Sequence, residues 1–262
     1  MKSASYHLPF FLEHYRNLGI SSFLIYNDSS DDGTSEQLLS QDDVTVITSD
    51  IPFSTVVNGE RWISVLKRTV PNALVKKGWV IIADADEYLI LPSDFESIIE
   101  LIGYMEGQGN NCASASPLEF YPEYLSKRSH PPDLSPQSQC RYFDKSNPSS
   151  IRARLHRLLK QHHEQEYDQI FEAEGAGLSE SWKVPLLQCG TAAAALNQHE
   201  GAIAPPDNVR MALGRYKFTP DLDAKTSNAL SAQADYGGTV EYESLESALR
   251  HFEGLSPRAR IS

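Results

Sequence analysis

The chain has 262 residues, of which 40% are hydrophobic and 22% charged, which is typical of a globular protein with enough apolar material for a sizeable core. Its formal net charge of −12 argues against a nucleic-acid backbone or an anionic membrane surface as the main partner. An anionic nucleotide would bind such a chain only beside a metal ion or a local cluster of basic residues.

The cysteines and the hydropathy of the sequence indicate the cellular compartment in which the protein is expected. The three cysteines form no CxxC pair, and so indicate neither a zinc knuckle nor a disulfide framework. They are Cys112, Cys140 and Cys189. The sequence contains no apolar run of about 18 residues and no signal-peptide core. We therefore expect a cytoplasmic protein in a reducing environment, either free or peripheral at the inner face of the membrane.

Helices and strands alternate over the first fifty residues, with helices predicted at 8–18 and from 35 to 39, and strands at 22–26 and 44–48. Apolar residues recur every three to four positions in the first helix, which Gly19 ends. Bulky and β-branched residues dominate both strands (SFLIY and VTVIT). In the polar stretch 27–34 (NDSSDDGT), Gly33 permits a tight turn and Thr34 can cap the second helix.

A short apolar run followed by carboxylates, WVIIADADE at 79–87, carries most of the chemical information in the chain. The apolar part predicts a strand buried on both faces, so Asp84, Asp86 and Glu87 are expected at its carboxyl end, where α/β folds bind ligands. In extended backbone, Asp84 and Asp86 leave the same face and repel each other unless a cation neutralises them. Such oxygen ligands suit Mg²⁺ or Mn²⁺ carrying a diphosphate. The alternative is an acidic turn exposed to solvent.

Further elements extend this pattern to residue 118. They are a helix at 58–75 with a break or kink at Pro71, a helix at 95–102 after a start signal at 92–94, and a strand at 112–118. The pattern predicts an α/β fold with a mainly parallel sheet flanked by helices. The remainder is less regular, with a polar excursion at 126–150, a basic segment at 151–160, an ordered segment at 182–187, an irregular region at 191–238 and a last helix at 245–252.

Three better-known motifs are excluded. The stretch 27–34 has the spacing of a calcium loop, but Leu39 stands where an EF-hand needs a bidentate glutamate. Asp84 and Asp86 have the spacing found in phosphatase-like hydrolases, but Tyr88 stands where these carry threonine or valine. The glycine-rich loops of P-loop and Rossmann proteins are missing. Two alternatives remain: the two acidic strand ends converge on one nucleotide, or they are unrelated turns in solvent.

Three stretches, in this order and at this spacing, resemble the family 2 glycosyltransferases. They are LPFFLEHYRNLGI at 8–20, YNDSSDDGT at 26–34 and WVIIADADE at 79–87. The chain is most similar to a bacterial subgroup with the pattern LPEFLxHYRxLG, DNxSxDGT and WVxxxDADE. The similarity extends over residues 6–122 and is weaker at 152–159, 183–187 and 197–201.

The resemblance implies a GT-A fold in a single domain, 1–262, with a Rossmann-like nucleotide-sugar-binding half at 1–122 and an irregular, acceptor-binding half at 123–262. It implies an inverting glycosyltransferase that moves a sugar from a UDP- or GDP-sugar to a glycan or lipid-linked acceptor, in surface polysaccharide or glycoconjugate synthesis. The implied cofactor is Mn²⁺ or Mg²⁺, a Lewis acid that stabilises the departing nucleoside diphosphate.

The resemblance also assigns roles to single residues. Asp28 matches the carboxylate that contacts the nucleotide base, and Asp32 matches the aspartate of the DGT turn. Asp84 and Asp86 match the DxD pair, with Asp86 as the direct metal ligand and Asp84 on the ribose or on the metal through water.

The other candidate residues have weaker signals. Glu119 is the first choice for the general base that deprotonates the acceptor, with Glu87 and Glu200 as rivals. Arg154, with its neighbours Arg152 and Arg157, could bind the diphosphate, and His199 could contact the metal or the diphosphate. The alternative for each is an ordinary surface or loop residue.

One departure from the family affects the N-terminus. A first strand precedes the Leu-Pro helix in the family, whereas here only MKSASY at 1–6 stands before it. Either the sequence is truncated or starts too late, or the sheet lacks a strand and exposes its edges. The last case favours the alternative function, a catalytically inactive GT-A-like protein that binds a nucleotide or carbohydrate. A nucleotidyltransferase is disfavoured because its glycine-rich phosphate loop is missing.

Overall fold

The computed structural model of the protein describes residues 1–122, 133–143, 183–191 and 209–222. The described helices are α1 (His7–Asn17), α2 (Thr34–Leu39), α3 (Trp62–Leu74), α4 (Ile98–Gly107) and α5 (Pro136–Gln139). The described strands are β1 (Phe23–Tyr26), β2 (Val44–Ile47), β3 (Val56–Val57), β4 (Glu60–Arg61), β5 (Gly78–Ile81), β6 (Glu87–Ile90), β7 (Cys112–Glu119), β8 (Lys183–Cys189) and β9 (Arg210–Arg215). The fold class is mixed α/β, as predicted.

The chain divides into two compact units. The first is Met1–Pro117 with Ser181–Arg215, and the second is Leu118–Glu180 with Tyr216–Ser262. The single domain with halves at 1–122 and 123–262 stays a prediction.

The first four elements lie within one residue of their predicted bounds. Gly19 follows α1 with φ 100°, a left-handed backbone conformation that ends the helix at little steric cost. β1 and β2 pair in parallel, from Phe23 opposite Val44 to Tyr26 opposite Ile47, and α2 lies in the crossover between them. The N-cap of α2 is Gly33, one residue before the predicted cap.

The predicted helix at 58–75 begins later because its first residues form a hairpin. β3 and β4 pair antiparallel, and their two connecting residues, Asn58 (φ 54°) and Gly59 (φ 82°), adopt the positive φ angles that an Asn-Gly hairpin turn favours. α3 then starts at Trp62 and contains Pro71. The helix continues to Leu74, so it does not break at Pro71, and the alternative, a kink, stays a prediction.

The main sheet has five strands in the order β5–β8–β7–β9–β6, and its strand directions are mixed. β8 pairs antiparallel with both β5 and β7, and β9 pairs antiparallel with β6. The predicted mainly parallel sheet is therefore not confirmed. The difference comes from β8 and β9, which return from the part of the chain that the sequence describes as irregular.

The order of the strands requires this sheet to curl. β5 and β6 are the two edge strands, yet only residues 82–86 connect them. That segment could span at most about 20 Å if fully extended, and it contains a turn. The edges of a flat five-stranded sheet would lie about 19 Å apart. The curled sheet brings its edges together and positions the connecting turn.

The core of the first unit lies between the helices and the strands. α1, α4, β7, β8 and β9 contribute buried side chains that include Leu8, Leu12, Tyr15, Leu101, Met105, Ala113, Leu186 and Leu213. α4 begins three residues later than its predicted start at 95, with the Ser97 hydroxyl accepting a hydrogen bond from the Glu100 N–H. Among the described helices, none is long and apolar enough to cross a membrane.

The described part of the second unit is small. The rings of Phe120 and Tyr216 stack at 4.8 Å, and Tyr121 forms an antiparallel bridge with Tyr142. α5 lies in the predicted polar excursion at 126–150. The predictions for 151–160 and 245–252 lie outside the described residues. All three cysteines are buried, and none of them forms a disulfide bond.

Candidate functional site

The acidic motif after β5 forms a turn rather than a continued strand. β5 ends at Ile81, and the Glu87 backbone N–H donates to the Asp84 carbonyl at 3.0 Å. The Glu87 carboxylate accepts a hydrogen bond from the Asp84 N–H at 3.2 Å. Ala85 and Asp86 are the central residues of this turn. The expectation that Asp84 and Asp86 extend from one face of a strand is therefore wrong.

Two lysines from distant segments neutralise Asp84. Lys67 of α3 donates to Oδ1 at 2.7 Å, and the ammonium of Lys183, the first residue of β8, lies 3.7 Å from Oδ2. The Asp84 side chain is 44% exposed, whereas those of Lys67 and Lys183 are 15% and 8% exposed. The carboxylate that the sequence predicts to need a cation thus has two protein cations beside it, and it still has an open side.

Glu87 is almost completely buried, with 1% of its side chain exposed. Its carboxylate accepts a hydrogen bond from Lys183, and Nε of Arg215 lies 3.6 Å away, in the strand pair where Glu87 and Arg215 are opposite each other. We refer to Lys67, Asp84, Glu87, Lys183 and Arg215 as the ionic cluster. Glu87 is thus the buried member of this ion-pair network, and its role as the general base stays a prediction.

The charges of the ionic cluster keep Lys67 protonated. Burial lowers the pKa of the Lys67 ammonium, but the nearby carboxylates of Asp84, Glu87 and Asp86 outweigh burial and raise this pKa above its ordinary value. Asp84 is the one hydrogen-bond partner of Lys67 among the described residues. Lys67 is therefore a permanent positive charge whose position depends on Asp84.

Asp28 lies just after β1 and is held from several directions. Its side chain is 4% exposed, Oδ1 accepts from the Phe53 N–H at 3.1 Å, and the Lys2 ammonium lies 3.6 Å from Oδ2. The Asp28 N–H donates to the Met1 carbonyl at 2.8 Å, and the Met1 amino group donates to the Tyr26 carbonyl. The backbone of Met1 thus lies beside the end of β1.

The acidic ends after β1 and β5 lie near the same buried group. Burial lowers the pKa of the Met1 amino group to about 6, and the charges of Asp84 and Asp28 oppose this lowering. The charges of both acidic stretches therefore act on one buried group of the first unit. That the two stretches bind one nucleotide stays a prediction.

Asp32 holds the turn that leads into α2. Oδ1 accepts from the Thr34 N–H at 3.2 Å and from the Thr34 hydroxyl at 2.5 Å, while Oδ2 accepts from the Ser5 N–H at 3.0 Å. Burial raises the pKa of Asp32, but these hydrogen bonds outweigh burial and leave the pKa below its ordinary value. The Thr34 hydroxyl also accepts from the Ala4 N–H at 2.9 Å, which ties the turn to the N-terminal segment.

Glu119, Arg154 and His199 are the other predicted site residues. Glu119 is completely buried and is the last residue of β7, in the second unit, whereas Asp84 and Asp86 belong to the first. Arg154 and His199 lie outside the described residues. In the part of the chain that the structure describes, no three His, Cys, Asp or Glu side chains are grouped to hold a metal by themselves.

The three cations of the ionic cluster are residues of the candidate site that the sequence did not predict. Lys183 is the first residue of one apolar strand (KVPLLQC), and Arg215 is the last residue of another (RMALGR). In the sequence, only the position of a single charge at the end of an apolar run could have indicated either residue. Lys67 had no such signal, because a lone lysine in an amphipathic helix is ordinarily on the solvent side.

Comparisons with known proteins do not add a relative. No protein-family model matches the chain, and no curated protein or solved structure matches it either. The functional argument therefore depends on the geometry above and on the motifs at 8–20, 26–34 and 79–87.

Proposed function

We propose that the protein is a glycosyltransferase of GT-A-like fold, which transfers a sugar from a nucleotide-sugar donor to an acceptor hydroxyl. The observation that supports the proposal is that Asp28, after β1, and Asp84, after β5, each lie beside a lysine and both act on the charge of one buried group, the Met1 amino group. One donor molecule can then be recognised at both ends, with its base near Asp28 and its diphosphate near Asp84. The motifs that resemble family 2 glycosyltransferases contain these same two residues.

The proposal includes a divalent ion beside Asp84. Asp84 and Asp86 would hold Mn²⁺ or Mg²⁺, since both are oxygen ligands and the Asp84 carboxylate is 44% exposed. Mg²⁺ in such sites takes one or two carboxylates and completes its shell with substrate phosphates and water, so a third acidic ligand is not needed. When bound, the ion would offset the charge of the departing diphosphate.

Charge balance supports the same proposal. The ionic cluster contains the carboxylates of Asp84 and Glu87 and the cations of Lys67, Lys183 and Arg215, and the charge of Asp86 also acts on Lys67. The group is close to neutral and offers little net attraction for a diphosphate by itself. A divalent ion would supply the missing positive charge.

The remaining roles follow the resemblance. Asp32 would maintain the turn beside the nucleotide, and Arg154 and His199 would contact the diphosphate or the metal. A carboxylate would accept the proton of the acceptor hydroxyl as the hydroxyl oxygen attacks the anomeric carbon and the nucleoside diphosphate departs, with inversion. Glu119 stays the first choice that the resemblance offers for this base. The acceptor would be a glycan or a lipid-linked sugar on the cytoplasmic side of a bacterial membrane.

The test is thermal unfolding with UDP, GDP and CMP, each with and without Mn²⁺. We expect one nucleotide, in the presence of Mn²⁺, to raise Tm by about 5 °C at a hundredfold excess over its Kd, through binding linkage. Asp86→Ala should lose this shift, whereas Asp94→Ala, a change at an exposed aspartate, should retain it.

Two outcomes would change the assignment. A folded protein that shows no shift with any nucleotide would contradict nucleotide-sugar binding. A metal-dependent shift without hydrolysis of UDP- or GDP-sugars and without transfer to any glycan acceptor would favour the alternative, an inactive nucleotide-binding protein.

A further inference from the structure

β1 has an open edge on the side away from β2. Phe23 and Asn27 donate their N–H groups to carbonyls on the β2 side, at 2.8 and 2.9 Å. The backbone groups of successive residues in a strand point to alternate sides, so Leu24 and Tyr26 direct theirs away from β2. Among the described residues, the N–H and C=O of Leu24 and the N–H of Tyr26 have no hydrogen-bond partner. We refer to this side of the strand as the β1 edge.

The backbone of Met1 pairs with the far end of the β1 edge. Its amino group donates to the Tyr26 carbonyl, and its carbonyl accepts from the Asp28 N–H at 2.8 Å. These two bonds, to the residues on either side of Asn27, are the pattern that one residue makes in a parallel pair. A strand in the same register would run parallel to β1, and its next hydrogen bonds would be to Leu24 and Tyr26.

β5 has an open edge as well, because it is an edge strand of the five-stranded sheet and pairs with β8 alone among the described strands. The Ile82 N–H, directly after β5, donates to a carbonyl of β8 at 2.8 Å. Trp79 and Ile81 therefore direct their backbone groups away from β8, and in the described part of the chain these groups have no partner. We refer to this side as the β5 edge. The charge of Asp84, which follows β5, acts on the Met1 amino group at the end of the β1 edge.

The elements around the β5 edge leave apolar surface that is only partly buried. α3 lies beside the end of β5, because Lys67 of α3 donates to Asp84. No residue of α3 or β5 is buried, although both contain several large apolar side chains. In β8, by contrast, nearly every residue is buried. An apolar strand added along β5 would bury this surface, which favours its binding.

We propose that the first unit binds an extended peptide segment as an added strand between the β1 edge and the β5 edge. The segment would run parallel to β1 and pair with Leu24 and Tyr26, and its other side would pair with β5. Strands with a neighbour on each side in an α/β sheet are apolar on both faces, so the partner is a stretch of another polypeptide rich in valine and isoleucine. Backbone hydrogen bonds would supply its affinity, as in other cases of strand addition. This inference goes beyond the proposed function and does not depend on it.

The test is fluorescence anisotropy of a labelled peptide in the presence of the full chain. The peptide has alternating valine and isoleucine residues after two lysines that keep it soluble, and we expect a Kd on the order of 10 µM. Two further peptides carry N-methyl groups on one or the other set of alternate residues, which removes the N–H donors on one side of the strand. Because the proposed strand bonds on both sides, each methylated peptide should bind about tenfold more weakly.

Substitutions in the protein test each edge separately. Leu24→Pro removes an N–H of the β1 edge and Ile81→Pro removes one of the β5 edge, and neither removes a hydrogen bond to β2 or β8. Each should weaken peptide binding by about tenfold. Val46→Pro is the matched control, because the Val46 N–H lies on the side of β2 away from β1, and it should leave the affinity unchanged. Urea denaturation verifies that each variant is folded, and the methylated peptides test the same edges without changing the protein.

Weaker binding of both methylated peptides and by both edge variants, with the control unchanged, supports the added strand. If only one methylated peptide binds more weakly, the strand uses a single edge, which contradicts a position between β1 and β5. A folded protein that binds no peptide at about 1 mM also contradicts the inference. So does a dimer, detected by sedimentation, that the peptide does not dissociate, because a second copy of the chain would then cover the edges. None of these measurements involves a nucleotide, so the proposed function is tested separately.

Discussion

The acidic stretches after β1 and after β5 differ in how their carboxylates are held. After β1, Asp28 and Asp32 accept hydrogen bonds from backbone N–H groups. After β5, Asp84 and Glu87 are held mainly by the charged ends of long side chains in the ionic cluster. Backbone donors fix a carboxylate in one place, whereas ammonium groups on flexible chains can be exchanged for other ligands.

This difference matches the demands of the proposed donor. A nucleotide base is flat and uncharged, so the residue that contacts it benefits from a fixed orientation. A diphosphate is charged, so its site needs cations. The fixed stretch after β1 and the exchangeable cluster after β5 would then bind different ends of one molecule.

The largest expected effect concerns the buried member of the ionic cluster. Glu87→Gln removes the charge that holds Lys183 and leaves a lysine that is 8% exposed beside a neutral amide. We expect a loss of about 3 kcal/mol in the free energy of unfolding, because the desolvation cost of Lys183 is then offset only by Asp84, which is 3.7 Å away. Urea denaturation measures this loss, and Glu13→Gln, at an exposed position on α1, is the matched control.

A second substitution sharpens this prediction. Adding Lys183→Met to Glu87→Gln removes the orphaned charge, so the double variant should recover part of the lost stability. Additive losses would show that the two residues are not coupled. A loss below about 1 kcal/mol for Glu87→Gln alone would contradict the role of Glu87 as the buried centre of the cluster.

The next effect concerns the stretch held by backbone donors. Asp32→Ala removes acceptors for two N–H groups and one hydroxyl at the start of α2, and we expect a loss of about 2 kcal/mol. Asp32→Asn keeps one oxygen acceptor and should lose less. Asp31→Ala, at the exposed neighbour, should stay within about 0.5 kcal/mol of the wild type in the same denaturation experiment. A loss at Asp31 equal to that at Asp32 would contradict the assigned hydrogen bonds.

Local patterns explain what the sequence could predict. α1 follows from apolar residues at helical spacing before Gly19, and β1 and β2 follow from short runs of bulky and β-branched residues. The turn at Asp32 uses partners within two residues in the chain and one in the N-terminal segment. The carboxylates themselves could be predicted, because acidic residues directly after an apolar strand belong at its end.

The sequence could not predict those parts of the site and of the sheet that depend on residues far apart in the chain. Lys183 and Glu87 are 96 residues apart, and nothing near either residue identifies the other. β9 (RMALGR) has no alternation to mark it as a strand and is defined by its pairing with β6. The turn at Asp84 depends on a hydrogen bond from the Asp84 N–H to the Glu87 side chain. The spacing of the acidic residues predicts extended backbone there instead, because it contains no sign of this bond.

The smallest expected effect is on the pH dependence of stability, which should differ between the acidic stretch after β1 and the one after β5. Asp32 has a pKa below its ordinary value of 3.8, so its contribution to stability is present above that pH and is lost as the pH falls through the folded-state pKa. Lys67 has a pKa above its ordinary value of 10.5, so its contribution is present below that pH and is lost as the pH rises through the folded-state pKa. In urea denaturation across pH, Asp32→Ala should therefore flatten the acid limb of the stability curve and Lys67→Met the alkaline limb. If either variant changed the acid and the alkaline limb equally, this assignment would be wrong. The carboxylate held by backbone donors would then not act at low pH alone, nor the ion-paired lysine at high pH alone.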